Sequence, residues 1–457
     1  MDFLQLGFET CGNATIIAYD KGVPVLATDP WIEGHPYFGS WSMPYTFQER
    51  QIEAIKNARF IWLSHGHPDH VNQDSLNALK DATFLIPAHC NKRMLSDLLQ
   101  QGMKAIEVKS NEWIKVSDDI HVITFPDWNQ DAACIIAIGR DSCVLNLNDG
   151  SARGCEWHIK KHLTQFKTRF LLSLLNYGDA DMFNFHTEDG AQLNPHLLNV
   201  MEQGSTLGQF YAERLRMWNC THTAPFSSNH FYSRTDSVWA SKYEVPYEMH
   251  GADFDESAGT FLPGYFNYSA HDGAINVVCP EARERIVHDP HVFGDDWSES
   301  LTLTEKAETT KYFQRFAALH KNFGFINIRV GNQDHYIKLR GPKDRGITFE
   351  APRGSLMTAI NYNIFDDMLI GNFVKTTLHG GVAALYPDFS PYVGKYGDNG
   401  QAYSESDLVR YFRYYHELYG FRSWLAKMEF DSLNRVRKML YNHPARPVAK
   451  RLYHAFR

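Results

Sequence analysis

The chain has no run of about 18 consecutive apolar residues, which excludes a membrane-spanning helix. Its opening, Met1-Asp2-Phe3-Leu4-Gln5, has neither a basic start nor an apolar stretch of signal length, and is expected to lead into the first strand. Cysteine is scarce: seven residues (Cys11, Cys90, Cys134, Cys143, Cys155, Cys220, Cys279), odd in number and widely scattered. That pattern excludes a disulfide scaffold and predicts reduced thiols in a cytoplasmic protein. There is no excess of basic charge. The 45 Lys and Arg stand against 53 Asp and Glu, for a net charge of −8, and no nucleic-acid partner is expected. A Walker loop, a strand–GxGxxG–helix fingerprint and a G-x-S-x-G elbow are all missing.

Apolar surface is not lacking. Of the 457 residues 44% are hydrophobic and 14% aromatic, enough to offset chain entropy and to bury one large core or two. The unusual count is histidine, at 22.

Residues 1–30 read as strands, Ala14–Tyr19 and Pro24–Thr28, turned at Asp20-Lys21-Gly22 and stopped at Asp29-Pro30-Trp31. A βαβα rhythm follows: helix Gln48–Asn57, strand Phe60–Leu63, helix Asn72–Lys80 capped by Asp74 or Ser75, strand Thr83–Pro87 and helix Asn91–Gln101. Strands Val122–Phe125, Cys134–Ile138, Cys143–Asn146 and Phe170–Leu175 come next. Residues 194–220 look helical, and 240–280 are rich in loops and short strands. The character changes near residue 285. This divides the chain into a metal-binding catalytic domain, 1–285, and a C-terminal α/β and helical region, 286–457. In the second part the spacing predicts helices over Thr302–Leu319, Met357–Thr376 and Leu408–Tyr441. It also predicts a small antiparallel sheet from Phe325–Val330, Tyr336–Leu339 and Ile347–Glu350. The tail from Arg435 to Arg457 carries seven Lys or Arg and no acid, and reads as a solvated face.

Chemistry concentrates in Ser64-His65-Gly66-His67-Pro68-Asp69-His70, directly after an apolar strand. Side chains two apart on an extended segment point the same way, so His65 and His67 can converge on one ion. The chain turns at Pro68, and Asp69 with His70 can face a second. Imidazole and carboxylate suit Zn, Fe or Mn.

These residues resemble the His-x-His-x-Asp-His signature of the metallo-β-lactamase superfamily. The resemblance implies an α+β, four-layer αββα sandwich with two divalent transition-metal ions at one sheet edge, here joined to a mixed, mostly helical C-terminal extension. It places His65 and His67 on the first ion, and Asp69 and His70 on the second. It makes Asp149, at the end of Val144-Leu145-Asn146-Leu147-Asn148-Asp149, the shared carboxylate. The last ligand of the second ion falls to His230, in Ala224-Pro225-Phe226-Ser227-Ser228-Asn229-His230, with His186 and His222 as rivals. The third ligand of the first ion is normally a histidine. The matching stretch, Phe125-Pro126-Asp127-Trp128-Asn129-Gln130-Asp131, has none, so Asp127 or Asp131 takes its place and leans the site toward iron or manganese.

Within the superfamily the chain is most similar to the metallo-fold portion of the CMP-N-acetylneuraminate hydroxylase family. The similarity lies in Asp131–Ile136, Leu145–Asp149, Pro225-Phe226 and Asn361–Phe373. That family also carries a Rieske cluster held by Cys-x-His and Cys-x-x-His. Here Cys155-Glu156-Trp157-His158 precedes Cys220-Thr221-His222, in reversed order, and the two pairs read as coincidence.

Two reactions fit. The first choice is a metal-dependent hydrolase acting on a small phosphoester, ester or amide, possibly a nucleotide-sugar, with Asp69 orienting the nucleophile and Asp29 supporting a ligand from behind. The other is di-iron, O2-dependent hydroxylation fed by a separate reductase. Aromatic residues of the 185–280 loops, among them Phe183, Phe185, Phe231, Tyr232, Trp239 and Tyr243, could stack on a sugar or base, although such residues more often simply pack.

Overall fold

The computed structural model describes residues 4–174, 182–193, 206–382 and 384–439. The expected αββα sandwich is what the chain forms. One sheet has eight strands in the order Ile275–Val277, Phe266–Ser269, Leu6–Cys11, Thr15–Asp20, Val23–Thr28, Phe60–Trp62, Thr83–Pro87 and Lys104–Val108. The other has seven: Thr260–Phe261, His222–Pro225, Thr168–Ser173, Ser142–Asn148, Ala132–Ile138, Ile120–Pro126 and Ile114–Lys115.

The sheets stack because successive strand residues point to opposite faces. Ile16 and Ala18 join Val122, Ile136, Val144 and Phe170 in the apolar layer between the sheets. Their neighbours Ile17 and Tyr19 face the other way, onto Ala54, Ile55, Leu76 and Leu98 of the first outer helices. On the second sheet Ile123, Ile135, Leu145 and Leu171 likewise meet Ile159, Leu163, Leu215 and Trp218 of the second helical layer. Strands buried on both faces read as continuous apolar runs, which is how Ala132–Ile138 reads. The first hairpin turns where expected, with Lys21 and Gly22 both at positive φ, 53° and 75°.

The element boundaries depart from the sequence reading in five places, each with a local cause. Asn72, and neither Asp74 nor Ser75, caps the helix Gln73–Asn77, accepting from the Ser75 backbone N–H. Thr302–Leu319 splits into Leu303–Gln314, capped by Thr302, and Ala317–Asn322. Met357–Thr376 splits into Arg353–Tyr362 and Phe365–Ile370. Its end instead begins the strand Lys375–His379, because Thr376 and Thr377 pair with Phe349 and Thr348. The long C-terminal helix breaks at Gly420 into Glu405–Tyr419 and Phe421–Met439, and its last residues lie outside those described. The small sheet has five strands and is mixed, since Phe325–Val330 runs parallel to Gly346–Glu350.

That sheet takes its edge strand, Phe185–His186, from before residue 285. A nine-residue π-helix, Pro391–Asn399, which periodicity did not reveal, packs beside Phe365–Ile370. No helix among the described residues is long and apolar enough to cross a membrane.

Candidate metal centre

Four strands from the two large sheets end at one edge of the sandwich, and the residues just beyond those ends meet there. Asp29 follows Val23–Thr28, the loop Ser64–His70 follows Phe60–Trp62, Asp149 follows Ser142–Asn148, and Ser227 to His230 follow His222–Pro225. The parallel pairing of Thr28 with Trp62 puts Asp29 beside the histidine loop, and the Asp29 backbone N–H donates to the Trp62 carbonyl (2.9 Å).

The donor atoms fall into three groups, two of which share one carboxylate, the third being His67, Asp366 and Asp367. His65, His67 and Asp149 form the first; Asp69, His70 and Asp149 form the second. His65 Nε2 lies 2.9 Å from His67 Nδ1 and 3.7 Å from Asp149 Oδ2. His70 Nε2 lies 3.1 Å from Asp69 Oδ2 and 3.4 Å from Asp149 Oδ2.

The opposite nitrogen of each ring is held from behind by an oxygen. His65 Nδ1 meets Ser64 Oγ (2.9 Å), His67 Nε2 meets Asp366 Oδ2 (3.4 Å), and His70 Nδ1 meets Asp29 Oδ2 (3.5 Å). His230 follows the same rule, its Nδ1 meeting the Ser228 carbonyl (3.1 Å). With their rear nitrogens donating, His65, His67 and His230 present lone pairs on their front nitrogens, as metal ligation requires; His70 Nδ1 lies between Asn148 Nδ2 (3.2 Å) and Asp29 Oδ2 (3.5 Å). The Nε2 atoms of His70 and His230 are buried without a hydrogen-bond partner. Buried orphan acceptors of this kind are costly unless a cation or proton meets them. The donor set therefore fits the two transition-metal ions that the fold implies.

The carboxylates are held as firmly. Asn13 Nδ2 donates to Asp69 Oδ2 (2.8 Å) and Tyr37 Oη to Asp69 Oδ1 (2.5 Å). Ser227 Oγ donates to Asp149 Oδ1. Asp29 accepts from the Ser64 backbone N–H (2.8 Å) and from Asn148 Nδ2.

Charge follows from this packing. Burial, with His70 and His67 adjacent, pushes His65 well below the usual imidazole range. Burial pushes His230 down to about 3, against the pull of Asp69. Burial acts on His70 in the same sense, but Asp69 and Asp149 override it and raise the ring well above the usual imidazole range, so a proton and a cation compete for its Nε2. Asp69, for its part, stays ionised against burial because of His70 and Tyr37. Asp149 is 20% exposed and Lys395 19%, whereas the His65, His67, Asp69 and His70 side chains are nearly closed off, so a small molecule would enter beside the first two.

Not every expected residue joins the centre. The Asp127 carboxylate is occupied elsewhere, accepting from the backbone N–H groups of Asn129 (2.7 Å) and Arg153 (3.0 Å). Asp131 faces Lys395 (3.5 Å) and belongs to neither donor set. His186 sits on the small sheet's edge strand against Asn184, and His222 stacks on Phe170, so both rivals of His230 lie among other partners. His230 itself stacks flat on Trp41, 3.3 Å between ring centres.

The sequence reading missed Asn13, Tyr37, Trp41, Asp366, Asp367 and Lys395. One signal was available. Asp366 and Asp367 form a doubled acid inside the otherwise apolar run Phe365–Ile370, all of it buried, and acids are rarely buried without a partner to meet them.

No family model matches the chain. A cytidine monophosphate-N-acetylneuraminic acid hydroxylase from Asterias rubens is 25% identical over 109 residues, which cover 22% of this chain and 17% of that protein. The chain thus spans about a sixth of the curated relative's length. Among solved structures, CmlA, a diiron β-hydroxylase from Streptomyces venezuelae, aligns over 55% of this chain and 48% of its own, at 15% identity and a TM-score of 0.33. The metallo-β-lactamase fold protein YhfI from Bacillus subtilis aligns over 56% of this chain and 91% of its own, at 9% identity and TM-score 0.31. A diphosphatase of the PhnP family aligns over 59% and 85%, at 15% identity and TM-score 0.28. The donor groups describe a site able to hold transition-metal ions.

Proposed function

We propose that this metallo-β-lactamase-fold chain is an iron-dependent oxygenase that hydroxylates a small molecule at the centre built by His65, His67, Asp69, His70 and Asp149. The observation that carries this reading is the oxygen-rich surroundings. Asp69 and Asp149 lie among the donors, Asp366 and Asp367 form a third group with His67, and Asp131 lies beyond Lys395. Two imidazoles with one carboxylate, as in the set His65, His67 and Asp149, is also a donor pattern of non-haem iron oxygenases. The hydroxylase relative supports the same choice, and by analogy a nucleotide-sugar substrate.

A second reading, hydrolysis of a phosphoester, ester or amide, is favoured by the shared carboxylate Asp149, since two ions held close together suit hydrolysis as well. Iron bound there would supply oxygen activation with electrons from a separate reductase, and zinc would supply a hydroxide-strength nucleophile at neutral pH.

The chain's own part is the same in both readings. Asn13 and Tyr37 fix Asp69, which orients the reacting group. Ser227 fixes Asp149, and His230, outside the three donor groups, stacks on Trp41 with its Nε2 buried and unpartnered. Burial of the loop excludes bulk water, and Asp149 and Lys395 meet the entering substrate. The seven cysteines are all free, which accords with a reducing, cytoplasmic setting.

The test is elemental analysis and an optical spectrum of protein purified without added metal, followed by turnover assays. The oxygenase reading expects iron at about two per chain and consumption of O2 that depends on reductant. Zinc, with turnover of a generic phosphodiester or ester and no O2 uptake, would replace it with the hydrolase.

A further inference from the structure

We infer that Asp366 is a positioning residue for the ion held by His65 and His67, so that the C-terminal region is a working part of the metal centre; this rests on the two-ion reading above.

His67 presents Nδ1 to His65 Nε2, on the side where the two rings converge, and its other nitrogen to Asp366. A carboxylate behind a ligating imidazole takes its N–H, fixes the tautomer and orients the ring. Lys395, whose Nζ also lies 3.5 Å from His67 Nε2, cannot do this, because an ammonium only donates. Asp366 is thus the acceptor that leaves Nδ1 with its lone pair facing His65.

The surrounding structure is shaped to put Asp366 there. It sits on a helix, Phe365–Ile370, whose six residues are all buried. The neighbouring π-helix crosses it at Gly394, where a methyl group would lie 2.4 Å from Asp366 Oδ2 and 2.7 Å from its Cγ. Only glycine allows that approach. A π-helix is rare and recurs at functional sites, and the residue after Gly394 is Lys395, which spans the gap between His67 and Asp131. Two segments some 300 residues from the loop in sequence therefore converge on one ring nitrogen.

The experiment loads metal-free protein with Co(II), follows the d–d absorption against a competing chelator, and counts bound ions by elemental analysis. The variants are Asp366→Leu, Asp366→Asn and Gly394→Ala. Wild type is expected to bind two ions. Asp366→Leu should lose about 10–100-fold in affinity for one of them, keep the other, and show a changed spectrum for the weakened site. Asp366→Asn should lose less, because the amide oxygen still accepts. Gly394→Ala should follow Asp366→Leu in direction, since it displaces the carboxylate without removing any polar atom.

Wild-type affinity for both ions in Asp366→Leu overturns the inference. Should that variant fail to fold, unchanged affinity in both Asp366→Asn and Gly394→Ala overturns it equally. A wild-type protein that binds fewer than two ions would instead remove the two-ion reading, and the inference would then be overturned if Asp366→Leu leaves the affinity for the ion that does bind unchanged.

Discussion

The front and the back of the metal centre are built in different ways. At the front, His65, His67, Asp69 and His70 come from one loop of six residues. At the back, the groups that hold them are Asn13, Asp29, Tyr37, Ser64, Ser227 and Asp366, spread across more than 350 positions. The donors themselves are a local property of sequence, because a strand end followed by alternating imidazoles needs nothing distant to aim them together. Their tautomers and orientation are largely a tertiary property, and every rear contact except that of Ser64 with His65 closes a long loop of chain. A change at the front should therefore remove ions from a protein that still folds, and a change at the back should cost folding as well.

Asp149 is the sharpest place to test the front, because it is the carboxylate common to two of the donor groups. Asp149→Ala should lose at least one ion per chain by elemental analysis and reduce turnover by at least about 100-fold, more than changes behind a ligand usually cost. Its stability without metal should fall less than for a fully buried acid, since the carboxylate is partly exposed and touches Ser227 Oγ and, at 3.4 Å, His70 Nε2. Two retained ions would end its role as the shared ligand.

Asp29 tests the back. It is fully buried and serves the Ser64 backbone, Asn148 and His70 together. Asp29→Ala strands the Ser64 backbone N–H and takes the carboxylate from His70, while Asn148 Nδ2 keeps Ser64 Oγ (2.7 Å), and breaking a buried charged contact costs about 3–5 kcal/mol. Urea unfolding of metal-free protein should show a loss of this order. A loss below about 1 kcal/mol, no more than an ordinary hydrogen bond, would mean that the loop holds its own shape and that the contrast drawn above is false.

The same contrast explains what was legible in the sequence. Many strands were readable as compact apolar runs between turn residues, and Lys21-Gly22 turns the first hairpin as its residue types require, whereas the αββα layering was implied by the resemblance that the histidine loop carries. The metal loop was readable because its donors are contiguous. Beyond residue 300 the pattern misled at Met357–Thr376, where Thr376 and Thr377 join a strand through partners at Phe349 and Thr348 that no local window contains. The mixed order of the small sheet and the π-helix were hidden for the same reason. Asp366 escaped because its meaning depends on Gly394 and His67 lying beside it.

Asp127 provides the finest test, because the sequence set it at the front and the structure places it in a turn, receiving two backbone N–H bonds. Burial, reinforced by Asp131, pushes its carboxyl up to about 7. A folded-state value raised above the unfolded one means that the folded protein holds a proton the unfolded chain has lost. Between about pH 4 and pH 7 this residue therefore lowers stability as pH rises. Asp127→Asn removes that slope. Relative to wild type, the variant should gain on the order of 1 kcal/mol between pH 5 and pH 6 in urea unfolding of metal-free protein, whatever constant amount the altered turn costs. Adding metal should leave the gain unchanged. If Asp127 were an ion ligand, bound metal would hold it ionised and depress its value, so the gain would shrink or reverse on loading. That outcome would return Asp127 to the front of the centre.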